Sequence, residues 1–280
     1  MSGPTVKPPE VMHIIEAARA AGLGLMADFA RLGDGSVQVQ EKGPSDFVSS
    51  ADLRSQETLQ AALSRSFPGH EILTEEGAHE AENIARTRLI VDPLDGTTNF
   101  LRGVPHFAIS IALEVGGVVT AGVVLDVPKG ELFWAAKGHG AWLGDGLREK
   151  RLAVSNERDL GRVVVGTGIP HRGRGEHASY LESLARVMRE VAGVRRFGAA
   201  ALDLAYVAAG RMDAFFELGL APWDVAAGTL LVEEAGGKVT RCDGERTGLT
   251  SRDVLATSGE PLHAQIVGML LPMHGRPARD

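Results

Sequence analysis

Cysteine is almost absent from this 280-residue chain: Cys242 stands alone. A single thiol cannot close an internal disulfide, and its solitude fits a reducing compartment. Aromatic residues make up only 5% of the sequence, so the core has to be built mainly from aliphatic side chains. No apolar run reaches the roughly eighteen residues that a membrane helix needs, and Met1–Glu10 lacks the basic segment and apolar core of a secretory leader. A cytoplasmic location without membrane attachment is the expectation. An excess of positive charge is missing too. The formal charge is −7, which argues against a general nucleic-acid binder; the only basic clusters are Arg195–Arg196 and the Arg172–Arg174 region. Missing motifs narrow the chemistry further. There is no glycine-rich loop ending in Lys-Ser/Thr, no paired-cysteine zinc pattern, no His-Glu-x-x-His pair and no dinucleotide fingerprint after a strand.

What is present is ordinary globular composition, 44% hydrophobic and 23% charged, with 35 glycines that predict many tight turns. Met12–Arg31 reads as a helix with Ile14, Ile15, Ala18, Leu25, Met26 and Phe29 as its apolar stripe. Ser50–Phe67 reads as a second helix, capped by Ser50, buried through Leu53, Leu59, Leu63 and Phe67, and stopped by Pro68–Gly69. Ile72–Leu73 is a short strand, and Glu75–Ala85 an acidic loop. Phe107–Glu114, Val118–Asp126 and Glu131–Ala136 have the spacing of antiparallel hairpins. Beyond about residue 150, strands (Arg162–Val165, Val194–Phe197, Asp213–Glu217, Lys238–Thr240, Leu255–Thr257) alternate with helices (His177–Glu190, Ala199–Ala209, Pro222–Gly236, Leu262–Leu270). That rhythm predicts a mixed or parallel sheet covered on both faces. We therefore divide the chain into an N-terminal α+β domain, 1–150, and a C-terminal α/β domain, 151–280, closely fused, with a polar tail from Pro272 that is expected to fray.

The peptide richest in chemistry runs from Ile90 to Asn99. An apolar strand delivers Asp92 at its carboxyl end, Pro93 is read as enforcing a turn, and Asp95 follows with Gly96, Thr97 and Thr98 behind it. Two carboxylates held together repel unless a cation lies between them, and hard oxygen ligands suit magnesium. The Leu94 carbonyl can complete a coordination sphere, and Gly96–Thr98 can open a helix towards a phosphate. A polar surface turn is the plainer reading of the same residues. Further acids stand at element boundaries: Asp52 and Asp224 at helix starts, where a cap and a ligand are equally good readings, Glu75 and Glu76 after a strand, and Glu217 at a strand end. His106 reads as a hydrogen-bonded core residue and Trp223 as a packing residue that buttresses Asp224.

The pieces Asp46-Phe-Val-Ser-Ser-Ala-Asp52, Phe67-Pro-Gly-His70, Thr74-Glu-Glu-Gly77, Asp92-Pro-Leu-Asp-Gly-Thr-Thr-Asn-Phe100, Trp223-Asp-Val-Ala-Ala-Gly228 and Glu234-Ala-Gly-Gly237 together resemble the inositol monophosphatase family. The resemblance spans about residues 10–270, and Gly198–Arg211 is similar to the bacterial branch that includes the extragenic suppressor proteins. It implies an α+β fold, a layered αβαβα sandwich of the inositol monophosphatase and fructose-1,6-bisphosphatase type. It also implies a homodimer, activation by two or three magnesium ions per site, and lithium sensitivity. By the same resemblance Glu75, Asp92 and the Leu94 carbonyl hold the activating metal, Asp92, Asp95 and Asp224 hold a second, and a weaker third sits near Glu75. Asp52 hydrogen-bonds Thr97 and helps order the attacking water beside Glu75. Asp95, Gly96, Thr97, Glu217 and the backbone of Gly198, Ala199 and Ala200 face the substrate. Lys42 lies near the family's usual lysine. Thr74 departs from the family, which commonly has glycine there.

The implied reaction is hydrolysis of inositol monophosphate to inositol and phosphate by metal-activated water, without a covalent intermediate. Related enzymes use the same platform on fructose-1,6-bisphosphate, histidinol phosphate, nucleotide 3′-phosphates and dinucleotide phosphates, so these remain alternatives. Glu217 favours a small phosphorylated polyol, because a carboxylate accepts hydroxyl hydrogen bonds and repels further phosphate. A regulatory protein associated with RNA or a transcription complex is the alternative of a different class. Direct nucleic-acid binding is not expected, since the chain lacks both the positive field and the aromatic platforms for it.

Overall fold

The computed structural model describes residues 7–34, 37–43, 46–75, 87–144, 149–170 and 177–270. Glu76 and the rest of the 76–85 stretch, residues 172–174, the tail from 272 and the Lys42 side chain lie outside the described residues.

Two helices open the chain: α1 (Pro9–Phe29) and, after the hairpin of β1 (Val39–Gly43) and β2 (Asp46–Ser49), α2 (Ser50–Ser66). Proline in its first turn starts α1, and Val11, Ile14, Ile15, Ala18, Ala21 and Leu25 recur at helical spacing along its buried side. Met26 and Leu53, expected on apolar faces, are instead 37% and 43% exposed. Each stands one helical step off the buried stripe. The cap of α2 is Ser49, not Ser50: its hydroxyl accepts from Ala51 and Asp52 N–H, and Asp52 reaches back to Ser49 N–H.

A seven-stranded sheet follows, in the order β3 (Glu71–Thr74), β4 (Thr87–Asp95), β5 (Ala108–Val115), β6 (Val118–Asp126), β7 (Glu131–Ala136), β8 (Gly140–Leu143), β9 (Lys150–Arg151), with α3 (Thr97–Leu101) between β4 and β5. Only β3 and β4 run parallel; the remaining pairs are antiparallel hairpin neighbours. The second half supplies β10 (Val164–Thr167), α4 (His177–Glu190), β11 (Gly193–Arg195), α5 (Ala200–Ala208), β12 (Ala214–Leu218), α6 (Pro222–Glu234), β13 (Lys238–Thr240), β14 (Asp253–Thr257) and α7 (Leu262–Leu270). Its five strands are ordered β11-β10-β12-β14-β13, parallel on one side and antiparallel on the other, the mixed sheet expected from the alternation. The strand read at Arg162–Val165 starts later, as β10 at Val164, and Leu160–Arg162 before it forms a single 3-10 turn, started where Asp159 accepts from Gly161 N–H.

Period-2 alternation sorts the strands' side chains into separate cores. Leu89, Val91, Ile109 and Ile111 face α1 and α2, whereas Ile90, Ala108 and Ala112 face α5 and α6. In the second sheet Phe215, Val254 and Ala256 pack on α5 and α6, while Ala214, Phe216 and Leu255 pack on α4 and α7. The result is five layers, α/β/α/β/α, with a mixed α/β sandwich built around two sheets. Strands β5 to β7 are buried on both faces and present no open apolar surface, and Trp142 of β8 stacks on Trp134 of β7.

Candidate active site

Strand β4 does not end at Asp92, and Pro93 does not turn the chain. The strand continues to Asp95, and the ladder shifts between Asp92↔Ser110 and Asp95↔Ala108, three residues on β4 against two on β5. Proline has no N–H to give a ladder, and a β-bulge is where a sheet tolerates it. The extra residue has a second effect. Residues three apart on a regular strand point to opposite faces, and one bulged residue returns them to the same face. Asp92 and Asp95 are thereby brought together, by a bulge and not by a turn.

The other acids arrive from three elements. Thr74 pairs with Val91 in parallel register, so Glu75 and Asp92 emerge side by side at the same end of β3 and β4. Asp224 stands in the first turn of α6, where it accepts from Ala221 N–H at 2.7 Å. Asp52 lies in the first turn of α2, 1% exposed, with Ser49 Oγ donating at 2.5 Å and Thr97 Oγ1 at 3.1 Å. Thr97 Oγ1 also lies 3.0 Å from the Leu94 carbonyl, and Asp92 Oδ1 accepts from Leu94 N–H at 3.0 Å. Asp52 and Asp224 are therefore helix caps and members of the acidic group at once.

Electrostatics binds the group together. Burial pushes the Asp92 carboxyl well above its ordinary range, and Glu75, Asp95 and Asp224 push it further in that order. Asp95 is raised to about 7, first by burial and then by Asp224, against the relief of N–H groups at the start of α5. One of these donors, Ala201 N–H, lies 2.8 Å from Asp95 Oδ2. Asp52 is raised by burial alone. The strongest charges acting on Asp92 are thus all negative, and the donor set is oxygen only, the chemistry that a hard divalent cation answers. Among the described residues no three of these side chains are already drawn into a metal cage. Asp92, Asp95 and Asp224 each accept from a neighbouring backbone N–H group.

Glycines shape the rest of the wall. Gly96 adopts φ +90, and a Cβ there would meet the His106 and Gly198 carbonyl oxygens at 3.1 and 3.3 Å. Gly198, Ala199 and Ala200 lead into α5 beside Asp95, so the structure brings that backbone to the acids. Glu217 comes from β12, whose Phe216 pairs with Thr167, and its carboxylate lies directly against Gly168. His106 is half-buried against Phe197 and Tyr206, and its pKa falls to about 4, mainly through burial, but it is not the hydrogen-bonded residue expected: its buried Nε2 has no hydrogen-bond partner among the described residues, and the ring is held by aromatic packing. Ser110 Oγ donates to the Trp223 carbonyl, which ties the start of α6 to β5.

Three residues escaped sequence reasoning. Asn99 Nδ2 donates to the carbonyls of His106 and Phe197 at 2.9 and 2.8 Å, and so clamps the loop before α5 onto α3. Ser55 Oγ donates to the Pro93 carbonyl at 2.7 Å and braces the bulge from behind. Asp203 is a fully buried acid within α5. Asn99 carried a signal, its place in the richest peptide; the other two carried none.

The family model described as "Inositol monophosphatase family" matches residues 9–271. An inositol-1-monophosphatase of Mesorhizobium japonicum is 47% identical over 94% of this chain and 97% of its own length. The Nus factor SuhB of Escherichia coli (strain K12) is 40% identical over 93% and 96%. The crystal structure of the extragenic suppressor protein suhB from Bartonella henselae superposes with a TM-score of 0.85 at 43% identity, covering 92% of this chain and 96% of that one. Five layers, acids gathered on a bulged strand and likeness along nearly the whole chain agree: this protein belongs to the inositol monophosphatase family.

Proposed function

We propose that this chain is a magnesium-dependent phosphomonoesterase that hydrolyses inositol monophosphate to inositol and phosphate. The observation that carries the reading is the buried acid group around Asp92, whose dominant neighbours all share its sign. Glu75, Asp92, Asp95, Asp224 and the Leu94 carbonyl are the residues that would hold two or three magnesium ions. Bound magnesium would supply the Lewis acidity that activates water and offsets charge on the leaving oxygen.

The chain's own contribution begins at Thr97. A water hydrogen-bonded to Thr97 Oγ1 can pass its proton to that hydroxyl as the hydroxyl gives its own proton to Asp52 Oδ1, 3.1 Å away. Burial raises the basicity of Asp52 and so suits it to receive that proton. Glu75 flanks the same water. Asp95, Gly96 and Thr97 face the phosphate end of the substrate, and Glu217 with the Gly198–Ala200 backbone faces the ring hydroxyls. A panel of phosphate esters under identical magnesium conditions tests the substrate, and inositol 1-phosphate is expected to give the highest kcat/KM. A far higher value for fructose-1,6-bisphosphate, histidinol phosphate, a nucleotide 3′-phosphate or a dinucleotide phosphate would replace the substrate and leave the reaction class standing.

We further infer a lithium-sensitive, cytoplasmic homodimer in which each chain carries a whole site; light scattering over a dilution series tests the assembly. A regulatory role beside catalysis is a second reading, favoured by the 40% identity to a protein named a Nus factor. The net charge of −7 points to a protein partner in that role and away from direct nucleic-acid contact. A partner captured from native cells equally by wild type and Asp92→Asn would support it.

A further inference from the structure

Ser55 lies inside α2, 3% exposed, on the face where Ala51 and Leu59 are wholly buried. Serine is a mediocre helix former, and inside a helix its hydroxyl usually turns to solvent or to a carbonyl one turn back. Here it does neither. Its Oγ leaves the helix and donates to the Pro93 carbonyl at 2.7 Å.

That carbonyl needs a donor from outside the sheet. Among the described residues β3 pairs with β4 only as far as Thr74↔Val91, and the ladder to β5 passes from Asp92 to Asp95. Neither ladder reaches Pro93. The same peptide unit carries the Leu94 N–H, which donates to Asp92 Oδ1 at 3.0 Å. A peptide unit is a rigid plane whose C=O and N–H point in opposite directions. The Ser55 hydroxyl, the Pro93–Leu94 peptide and the Asp92 carboxylate thus form one hydrogen-bonded line. Among the described residues the Leu94 N–H is the only group that donates to Asp92, so turning the plane would swing the carboxylate with it. The helix holds the next carbonyl as well. Asp52, one turn before Ser55, accepts from Thr97 Oγ1, which lies 3.0 Å from the Leu94 carbonyl.

We propose that Ser55 is a positioning residue for the metal site: through the Pro93–Leu94 peptide it fixes the orientation of the Asp92 carboxylate, and so sets the affinity for magnesium. The inference rests on the reading of Asp92 as a magnesium ligand. A carboxylate that is already oriented loses less freedom when a cation arrives, and hydrogen-bond partners behind a ligand govern affinity in this way. Ser55 acts through Asp92 and not on the substrate. Once magnesium saturates the site, loss of the hydroxyl therefore leaves turnover unchanged.

The test titrates magnesium alone into full-length, metal-free protein by isothermal calorimetry, beside turnover of inositol 1-phosphate. Ser55→Ala is expected to weaken magnesium binding about tenfold and to raise the half-activating concentration in parallel. At saturating magnesium its kcat and KM are expected within about twofold of wild type. Ser55→Thr, which keeps the donor, is expected to restore the magnesium constant. Ser55→Cys, near serine in shape but a weak donor, is run beside alanine to guard against a folding failure, and is expected to fall between alanine and wild type. Thr257→Val removes a buried hydroxyl hydrogen bond in the second sheet, and is expected to lower the thermal midpoint without moving magnesium binding. Magnesium binding unchanged in the alanine and cysteine variants, weakened as much by Thr257→Val, or not restored by threonine would overturn the proposal. Asp92→Asn separates the two layers. If it abolishes magnesium binding and Ser55→Ala does not weaken it, the present inference alone falls; if Asp92→Asn binds magnesium like wild type, the metal-ligand reading falls and takes this one with it.

Discussion

At the start of β4, Arg88 and Glu114 stand opposite each other in the ladder, both buried, and meet in an ion pair. At the other end of the same strand Asp92 and Asp95 are buried as deeply, but the charges that act most on Asp92 are Glu75, Asp95 and Asp224. Both ends belong to one sheet, so general hydrophobicity does not separate them. The first end satisfies its charge within the chain. The second spends the chain's structure on gathering like charge, with a proline bulge to turn two acids to one face. Buried like charges weaken a fold unless something outside the chain answers them, and that is the mark of a binding site.

The sharpest way to break this contrast is to neutralise one acid at each end. Asp92→Asn is expected to lower phosphate release at saturating magnesium by on the order of a hundredfold to a thousandfold. Its thermal midpoint without magnesium is expected to stay level or rise, because a repelling charge is gone. Near-wild-type turnover would remove Asp92 from the site. Glu114→Gln should do the reverse. It leaves Arg88 buried without its counter-charge, which costs about 3–5 kcal/mol in urea unfolding, while kcat of the folded fraction holds. A Glu114 variant that lost turnover and kept stability would erase the distinction between the two ends.

His263 offers a third kind of buried ionisable group, one kept neutral. It is 2% exposed, its ring nitrogens lie 3.0 and 2.9 Å from Thr240 Oγ1 and Thr257 Oγ1, and its pKa falls to about 4. Burial is the main cause, helped by Lys238 and opposed by Glu260. The folded-state value lies below the unfolded one of about 6.5, so the unfolded chain binds the extra proton in between. Stability from this group is present above about pH 6.5, lost as pH falls towards 4, and level below that, a change of about 3 kcal/mol. His263→Gln is expected to be less stable at neutral pH but to flatten the pH dependence of the urea midpoint across that window. An unchanged slope would mean that the ring charges within the fold.

Much of this was legible in the residues. The continuous apolar run before Asp92, the hairpin spacing of β5 to β7 and the strand–helix alternation after residue 150 depend on local pattern, and local pattern survives in a sequence. The bulge at Pro93 did not show, because a ladder register belongs to two strands and Pro93 alone reads as a turn. Asn99 could be noticed but not explained, since the carbonyl of Phe197 lies far along the chain. Asp203 was passed over because its helix reads as uniformly apolar, and only the folded structure shows that this acid is fully buried with one oxygen unpartnered among the described residues. The cap of α2 was misplaced by a single residue. Ser49 and Ser50 are chemically identical, and the choice is made by backbone geometry: Ser49 is extended at φ −111, ψ 163, and only there does its hydroxyl face the first N–H groups.

That cap gives the smallest effect, and it probes an acid intermediate between the two ends of β4. Asp52 is buried like Asp92, yet Ser49 satisfies one of its oxygens twice, through the hydroxyl at 2.5 Å and the backbone N–H at 2.9 Å. Ser49→Ala removes the hydroxyl, which also serves Ala51 and Asp52 N–H, and should lower stability by about 1 kcal/mol. The backbone bond from Ser49 N–H and the Thr97 contact remain, so Asp52 is loosened and not lost. With one lowering hydrogen bond gone, its already raised pKa moves further up. The acidic limb of the pH–rate profile is therefore expected to shift to higher pH in Ser49→Ala, while kcat on its plateau changes little. Ser49→Thr keeps the hydroxyl and should restore both the stability and the limb. An acidic limb that stays in place while stability drops would assign Ser49 to the helix alone and detach Asp52 from the proton path.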